Sequence, residues 1–329
     1  MTFRISPWWW PVMAVSAPVL LPMLVARNRR FKQNKQKSIT LNQERMRQAR
    51  PLDLPELQCF QLTVLVEQKS SDGFLSAPAV SYWIKTDQGS LLFDTAYGPE
   101  SPALAHNAGK LGFTFHNVDA LAISHLHPDH MGGFKAVRAN QVTWPQELGA
   151  PRGKPCFLPV SAAAVGFKPE VIETPRLLAA GIASTGPLAR SLFLMGWMEE
   201  QAIVARLKDK GLVVITGCGH PTIETVIQMV KRLSSEPIYA IGGGLHFPLT
   251  DSPLHKPGLK VQMIWGTGKP PWKRLSDEDL TRTIAQLNTI MPKRVFLSAH
   301  DTCDHAIRRL RHEIASHVQV LEAGATYVF

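Results

Sequence analysis

Cysteine is scarce in this chain of 329 residues: Cys59, Cys156, Cys218 and Cys303 stand at unrelated spacings. Such a set builds neither a disulfide framework nor a cysteine-based zinc knuckle, and reduced thiols are the simpler reading. Internal repeats and low-complexity tracts are absent, which excludes a stacked-repeat architecture. Charged residues are also few, 19% against 45% hydrophobic, the balance of a globular chain and not of a disordered one. The net charge of +10 is confined to one segment. Residues 27–50 carry Arg27, Arg29, Arg30, Lys32, Lys35, Lys37, Arg45, Arg47 and Arg50 against Glu44 alone, so the body beyond residue 50 is nearly neutral. That body lacks the broad basic face needed to bind a phosphate backbone, and nucleic acid is not an expected partner.

No charge at all falls between Ile5 and Ala26, a stretch of 22 residues. An α-helix needs about 20 apolar residues to cross the hydrocarbon. Trp8, Trp9 and Trp10 stand at one end, where indoles favour the membrane interface, and the basic residues follow at once, which keeps that side cytoplasmic. The expectation is a single-pass anchor over 1–26, a basic linker over 27–50, and a domain over 51–329 on the cytoplasmic face. Pro7, Pro11, Pro18 and Pro22 count against a regular helix. An interfacial segment and a cleaved signal peptide compete with the anchor, although a basic run directly after the apolar segment opposes export.

The domain can bury a sizeable core, whether it forms one unit or two. "FQLTVLVEQ" (60–68), "AVSYWIKTDQGSLLFDTA" (79–96) and "ALAISH" (120–125) have the composition and turn boundaries of strands. "EEQAIVARLKDKGLVVITGCGH" reads as two strands about a "KDKG" turn, and "PIYAIGGG" and "KRVFLSAH" as two more. "PTIETVIQMVKRL" and "SDEDLTRTIAQLNTI" have helical spacing. The first starts at Pro221, a first-turn position, and the second is capped by Ser276 with Asp279 reaching back. Strand clusters separated by helices give a mixed α/β sandwich.

The chemistry gathers at strand ends. "LAISHLHPDHMGGF" places three histidines and an aspartate within six residues after an apolar run. On extended backbone His125 and His127 face the same way and can grip one ion; Pro128 then turns the chain and aims Asp129 and His130 elsewhere, toward a second. His106, His116, His255, His305, His312 and His317 have no such context and read as ordinary residues. Cys218 and Cys303, beside His220 and His300, carry no sequence-level base or cysteine partner and read as small packing residues beneath the site. Trp265 and Trp272 lie in a Gly/Pro-rich loop able to overhang it.

"HLHPDH" resembles the His-x-His-x-Asp-His signature of the metallo-β-lactamase superfamily, and further motifs follow in order. "LLFDTA" is similar to the first motif, "TGCGHP" to the third and "LSAHDTC" to the last, covering roughly residues 60–305. The resemblance implies an αβ/βα four-layer sandwich. It implies metal ligation by His125, His127, Asp129, His130, His220 and His300, with Asp94 orienting ligands through hydrogen bonds. "AIGGGLHF" narrows the likeness to a branch that includes the dihydropterin ribofuranosylaminobenzene phosphate synthases. There, as here, most relatives' bridging aspartate is missing, and His246 stands nearby as a ligand, a substrate contact or a packing residue.

The expected cofactor is Zn²⁺, one ion or two, with Mn²⁺ or iron as alternatives. The expected activity is hydrolysis of an ester, lactone or phosphodiester-type substrate by a metal-bound hydroxide, with the pKa of the bound water lowered to about 7. Asp129 would hold the nucleophile in line, the catalytic position. The 89 residues between Met131 and Gly219 are mostly apolar and long enough for a pocket wall, which favours a small-molecule or lipid-like substrate near the membrane. A nuclease, an iron-dependent redox protein and a non-enzymatic membrane-tethered scaffold are the alternatives, and the oligomeric state is left open.

Overall fold

β-Branched and aromatic runs bounded by turn residues become strands, and in the computed structural model, which describes residues 10–250 and 266–329, they assemble into two main sheets. The first has the order β17 (Thr326–Val328), β2 (Phe60–Val66), β3 (Ser81–Thr86), β4 (Gly89–Phe93), β5 (Ala120–Ala122), β6 (Pro155–Leu158) and β7 (Lys168–Val171). The second runs β16 (His317–Val320), β15 (Arg294–Leu297), β14 (Ile238–Gly243), β13 (Gly211–Thr216), β12 (Ile203–Leu207), β9 (Ala183–Ser184) and β8 (Arg176–Leu177), with β1 (Glu56–Leu57) paired to β12. A separate hairpin joins β10 (Leu188–Leu192) to β11 (Gly196–Glu200). Trp8, Trp9, Asp251, His255 and Trp265 lie outside the described residues.

The period of two along each strand decides the layering. Val213 and Ile215 of β13 join Leu62, Ile84 and Phe93 of the first sheet in a core between the sheets. Their neighbours Leu212 and Val214 face the other way, onto Ile227 and Val230 of α5 (Ile223–Leu233), Leu280 and Leu287 of α6 (Asp277–Ile290) and Leu310 of α7 (Asp304–Glu313). Trp83, Leu92 and Leu121 cover the outer face of the first sheet with Leu104 and Ala108 of α2 (Pro102–Leu111). The result is helix, sheet, sheet, helix. The α6 start follows its sequence: the Ser276 backbone N–H and hydroxyl donate to Asp279 Oδ2 at 2.8 and 3.1 Å. The α5 start does not, because Pro221 stays outside the helix and Thr222, at φ +80°, occupies the cap.

The N-terminal region departs from expectation. One continuous helix, α1 (Trp10–Gln48), passes through the junction between the apolar and basic segments, with Pro18 and Pro22 inside it. Its second half docks on the hairpin. Phe31 meets Phe193 edge to face at 5.5 Å, and Arg45 donates to Pro187 O and pairs with Glu199, both at 2.9 Å. Asn42 bonds both backbone groups of Ala189, donating to its oxygen at 2.9 Å and accepting from its nitrogen at 2.7 Å. The expected membrane-spanning segment is not found: among the described residues no helix is long and apolar enough to cross a membrane.

Candidate metal centre

Parallel strands that end together deliver the site. Asp94 follows β4 directly, and His125 lies three residues past its parallel neighbour β5. His127 immediately precedes α3 (Pro128–Met131), the single turn that carries Asp129 and His130. His220, His246 and His300 lie in the loops after β13, β14 and β15, which are also parallel. Side chains remote in sequence therefore meet at the carboxyl ends of strands, where open α/β sheets place ligands.

They meet in two groups. Ring nitrogens of His125, His127 and His220 lie within 4.8 Å of one another. His127 Nδ1 stands 3.0 Å from His125 Nε2 and 3.2 Å from His220 Nε2. Asp129, His130 and His300 form the second group, again within 4.8 Å, and Cys218 belongs to it. The Cys218 thiol is 3.1 Å from Nε2 of both His130 and His300. Read from sequence as packing, Cys218 is instead a donor at the centre, and its sulfur also falls within 4.8 Å of His220 and His246 nitrogens. Cys303 does pack, in the core beneath α7.

Partners behind the rings fix which nitrogen faces inward. Asp94, wholly buried, accepts from the Ser124 N–H at 2.6 Å, the Ser124 hydroxyl at 2.7 Å and His130 Nδ1 at 2.6 Å. The Ser124 hydroxyl, its proton given to Asp94, accepts from His125 Nδ1 at 3.0 Å. Ser298 repeats the device: its hydroxyl donates to Glu67 at 2.6 Å and accepts from His300 Nδ1. His125, His130 and His300 thus each keep Nδ1 occupied and turn Nε2 toward the centre; the ring of His125 is neutral, so its Nε2 offers a lone pair, and a cation would displace the Nε2 proton of the other two. Glu200 acts on the backbone, accepting from the N–H groups of Gly219 and His220 at 2.8 and 2.9 Å. Gly219 has φ +70°, and a Cβ there would stand 2.4 Å from Gly244 O, so only glycine carries the loop past β14.

Electrostatics divide the two groups. Burial, then the neighbouring rings, lowers the pKa of His125 and His220 far below the ordinary imidazole value. Burial also takes His127 to about 4 against the opposing pull of Asp129. Burial pushes the other way on His130, but Cys218, Asp129 and Asp94 outweigh it and hold that ring well above its usual value. Burial would raise Asp129, yet His130 beside it keeps the carboxyl well below the carboxylate range. One group is therefore neutral and rich in lone pairs, and the other pairs the Asp129 carboxylate with His130 and His300 rings held well above their usual value. Glu200, raised to about 7 by burial, and Asp301, raised to about 6, border them.

His246 forms a third cluster, with Cys218 of one group and His220 of the other. At φ +56° its ring lies 4.4 Å from that of His220, and neither ring nitrogen has a hydrogen-bond partner. Its backbone N–H donates to Asp301 Oδ2 at 3.2 Å, which puts a carboxylate beside the position where the sequence lacks a bridging aspartate. A cavity of about 480 Å³ opens off His220 and His246. Apolar lining is there in Ile223, Leu245 and Phe247, but Arg190, Lys269 and Arg282 share it with Glu224 and Asp279. Sequence reasoning missed Glu67, Glu200, Ser124, Ser298 and Cys218. The readable signal was an acid closing a buried strand, in "VLVEQ" and in "WMEE".

Residues 77–142, which include Asp94 and the His125–His130 cluster, match the family model of the metallo-β-lactamase superfamily. The solved structure of Tm1679, described as a metal-dependent hydrolase of the β-lactamase superfamily, is similar over 82% of this chain and 98% of its own, with 21% identity and a TM-score of 0.57. The chain has the metallo-β-lactamase fold. The metallo-β-lactamase fold protein YhfI from Bacillus subtilis is similar over 83% of this chain and all of its own, at 14% identity and a TM-score of 0.50. A place in the superfamily is supported by the family model and by these structures together. No curated protein matches the chain. Within the metallo-β-lactamase fold, the two groups described above lie where the loops after β5, β13 and β15 converge.

Proposed function

We propose that this chain is a metal-dependent hydrolase acting on an ester, lactone or phosphodiester-type substrate. One observation carries the reading: neutral His125, His127 and His220 aim ring nitrogens at one another across 3.0–3.2 Å. Their depressed pKa values argue against a shared proton as the partner, and a divalent cation is what such a donor set fits. Asp129, His130, His300 and Cys218 make a second set, in which another ion would replace the protons held on the rings and the thiol; the sulfur and imidazoles favour zinc, with manganese or iron as alternatives. A bound cation would supply Lewis acidity to a water and to the substrate's reacting oxygen.

The chain's own groups do the rest. Asp129, kept ionised by His130 and partly exposed, accepts a hydrogen bond from an attacking water and holds it in line. Asp94, Glu67 and Glu200 keep the surrounding loops in register, which limits the reorganisation needed during reaction. Leu245 and His246 beside His220 are also the residues that support the narrower branch resemblance. The full-length chain is expected to retain at least one equivalent of a divalent ion after dialysis and to turn over one member of a panel of lactones, aryl phosphodiesters and thioesters. Absence of any stoichiometric ion would sink the reading, and visible absorbance from iron without hydrolysis would favour redox chemistry.

Attachment to a membrane surface is part of the proposal. Val15, Val19, Leu20, Leu21, Met23, Leu24 and Val25 are exposed on α1, and Arg27, Arg29, Arg30 and Lys32 follow them. An apolar stretch with a basic collar binds anionic bilayers through both terms. Flotation with anionic vesicles should carry the full chain and leave a chain lacking residues 1–26 behind; equal flotation of the two excludes this role.

A further inference from the structure

Arg190 projects from β10 into the cavity beside the metal centre, and its guanidinium has no hydrogen bond or ion pair with any described residue. An arginine offers five N–H donors in a planar fork, and in this half-buried position they are free to meet an incoming acceptor. The two carboxylates near enough to be felt, Glu224 and Asp279, are already engaged. Glu224 accepts from Thr283, and Asp279 accepts from Lys269, Arg282 and the Ser276 cap. The 266–268 segment passes close to the guanidinium: a Cβ on Gly268 would stand 2.3 Å from Arg190 Nε, so a larger residue there would require the arginine to move. More cations gather nearby, Lys35 and Lys273 in an adjoining pocket that shares Lys269 with this cavity. Lys35 of α1, Lys269 and Lys273 lie close enough to Arg190 that burial and their mutual repulsion lower the Lys35 pKa. Two engaged acids do not balance this crowd.

We propose that this cavity is an anion subsite that seats a phosphate group of the substrate, with Arg190 as its bidentate contact and Lys35 and Lys269 at its rim. An arginine fork matches the oxygens of a phosphate, and a doubly charged group suits a cluster of cations better than a single carboxylate does. A volume of about 480 Å³ admits a small molecule and adjoins His220 and His246, so the phosphate is held while another bond of the same molecule faces the metal groups. The word substrate rests on the hydrolase reading above; the subsite itself does not, because Arg190, Lys35 and Lys269 belong to neither metal group. The hairpin and α1 then have a second purpose: docked on β10, α1 brings Lys35 to the adjoining pocket that shares Lys269 with the cavity.

Inorganic phosphate titrated calorimetrically into the full chain after chelation tests this without any metal to bind the anion directly. Phosphate is expected to bind the metal-free chain, about 10- to 100-fold more weakly in Arg190→Met and intermediately in Arg190→Lys, which keeps the charge and loses the fork. Lys35→Gln, exposed on α1, cannot unfold the domain and should weaken binding by roughly two- to fivefold, as fits a rim charge. sn-Glycerol 3-phosphate and a short-chain phosphatidate should compete alike, since they share the phosphate with and without acyl chains. No binding to the metal-free chain, equal binding by wild type and Arg190→Met, acetate binding as tightly as phosphate, or competition by the phosphatidate alone would each overturn the subsite. A chain that holds no metal yet binds phosphate through Arg190 removes the hydrolase reading and leaves the subsite standing. Binding only to the metal-loaded chain does the reverse.

Discussion

Replacement of His127 by alanine is expected to lower the retained metal by one equivalent and to lower turnover of the responsive substrate by about a thousandfold or more, the several kcal/mol that a bound metal contributes. The magnitude follows from position. His127 Nδ1 is the atom nearest to both other rings of the neutral group, 3.0 Å from His125 and 3.2 Å from His220, so its loss leaves two donors where there were three. The fold should be nearly indifferent. The ring is held by no carboxylate and caps no helix, since the side chain of His127 makes no cap bond to α3. Unfolding of the chelated wild type and chelated His127→Ala should therefore agree to within about 1 kcal/mol. Metal content, turnover and chelated-state stability measured on one preparation separate a ligand from a packing residue. Intact turnover with undiminished metal content would remove His127 from the centre.

The ligand-bearing loops are legible in the sequence because each sits directly after an apolar strand, and a strand end is the one place where a histidine is both fixed and exposed to a cavity. The cluster from His125 to His130 is readable for a further reason, since a proline and two glycines state where the chain turns. What supports the ligands is not legible. Glu67 acts on Ser298 and His300 across 231 positions, and Glu200 acts on a loop from an antiparallel hairpin whose pairing no local pattern announces. Cys218 looked like packing because its two imidazole neighbours come from different motifs. The N-terminal segment shows the same limit. Apolar and basic stretches suggest an anchor and a linker, whereas Asn42 bonding to Ala189 makes the second stretch part of the domain's surface, and nothing local in "TLNQER" signals that partner.

Asp94 offers the largest expected effect on stability, and two substitutions separate its roles. Alanine would leave the Ser124 N–H, the Ser124 hydroxyl and His130 Nδ1 without an acceptor in a region closed to water, and is expected to cost about 3–5 kcal/mol. It would also force φ +65° on a residue with a Cβ and no polar side chain to ease it. Asparagine has the same size and tolerates that backbone, so its cost should be nearer 1–2 kcal/mol. Its oxygen can still accept from Ser124, but its amide must then face the His130 Nδ1–H, donor against donor. The ring is relieved by giving up the Nδ1 proton and keeping the one on Nε2, which points at Cys218 and is the position the second group would offer a cation. Asp94→Asn is therefore expected to fold and yet to bind its second equivalent of metal about 10- to 100-fold more weakly. Chemical denaturation paired with metal titration reads both quantities. Native metal affinity in the asparagine variant would mean that the carboxylate holds the loop but does not choose the tautomer, and the argument for inward-facing Nε2 at His130 would fall with it.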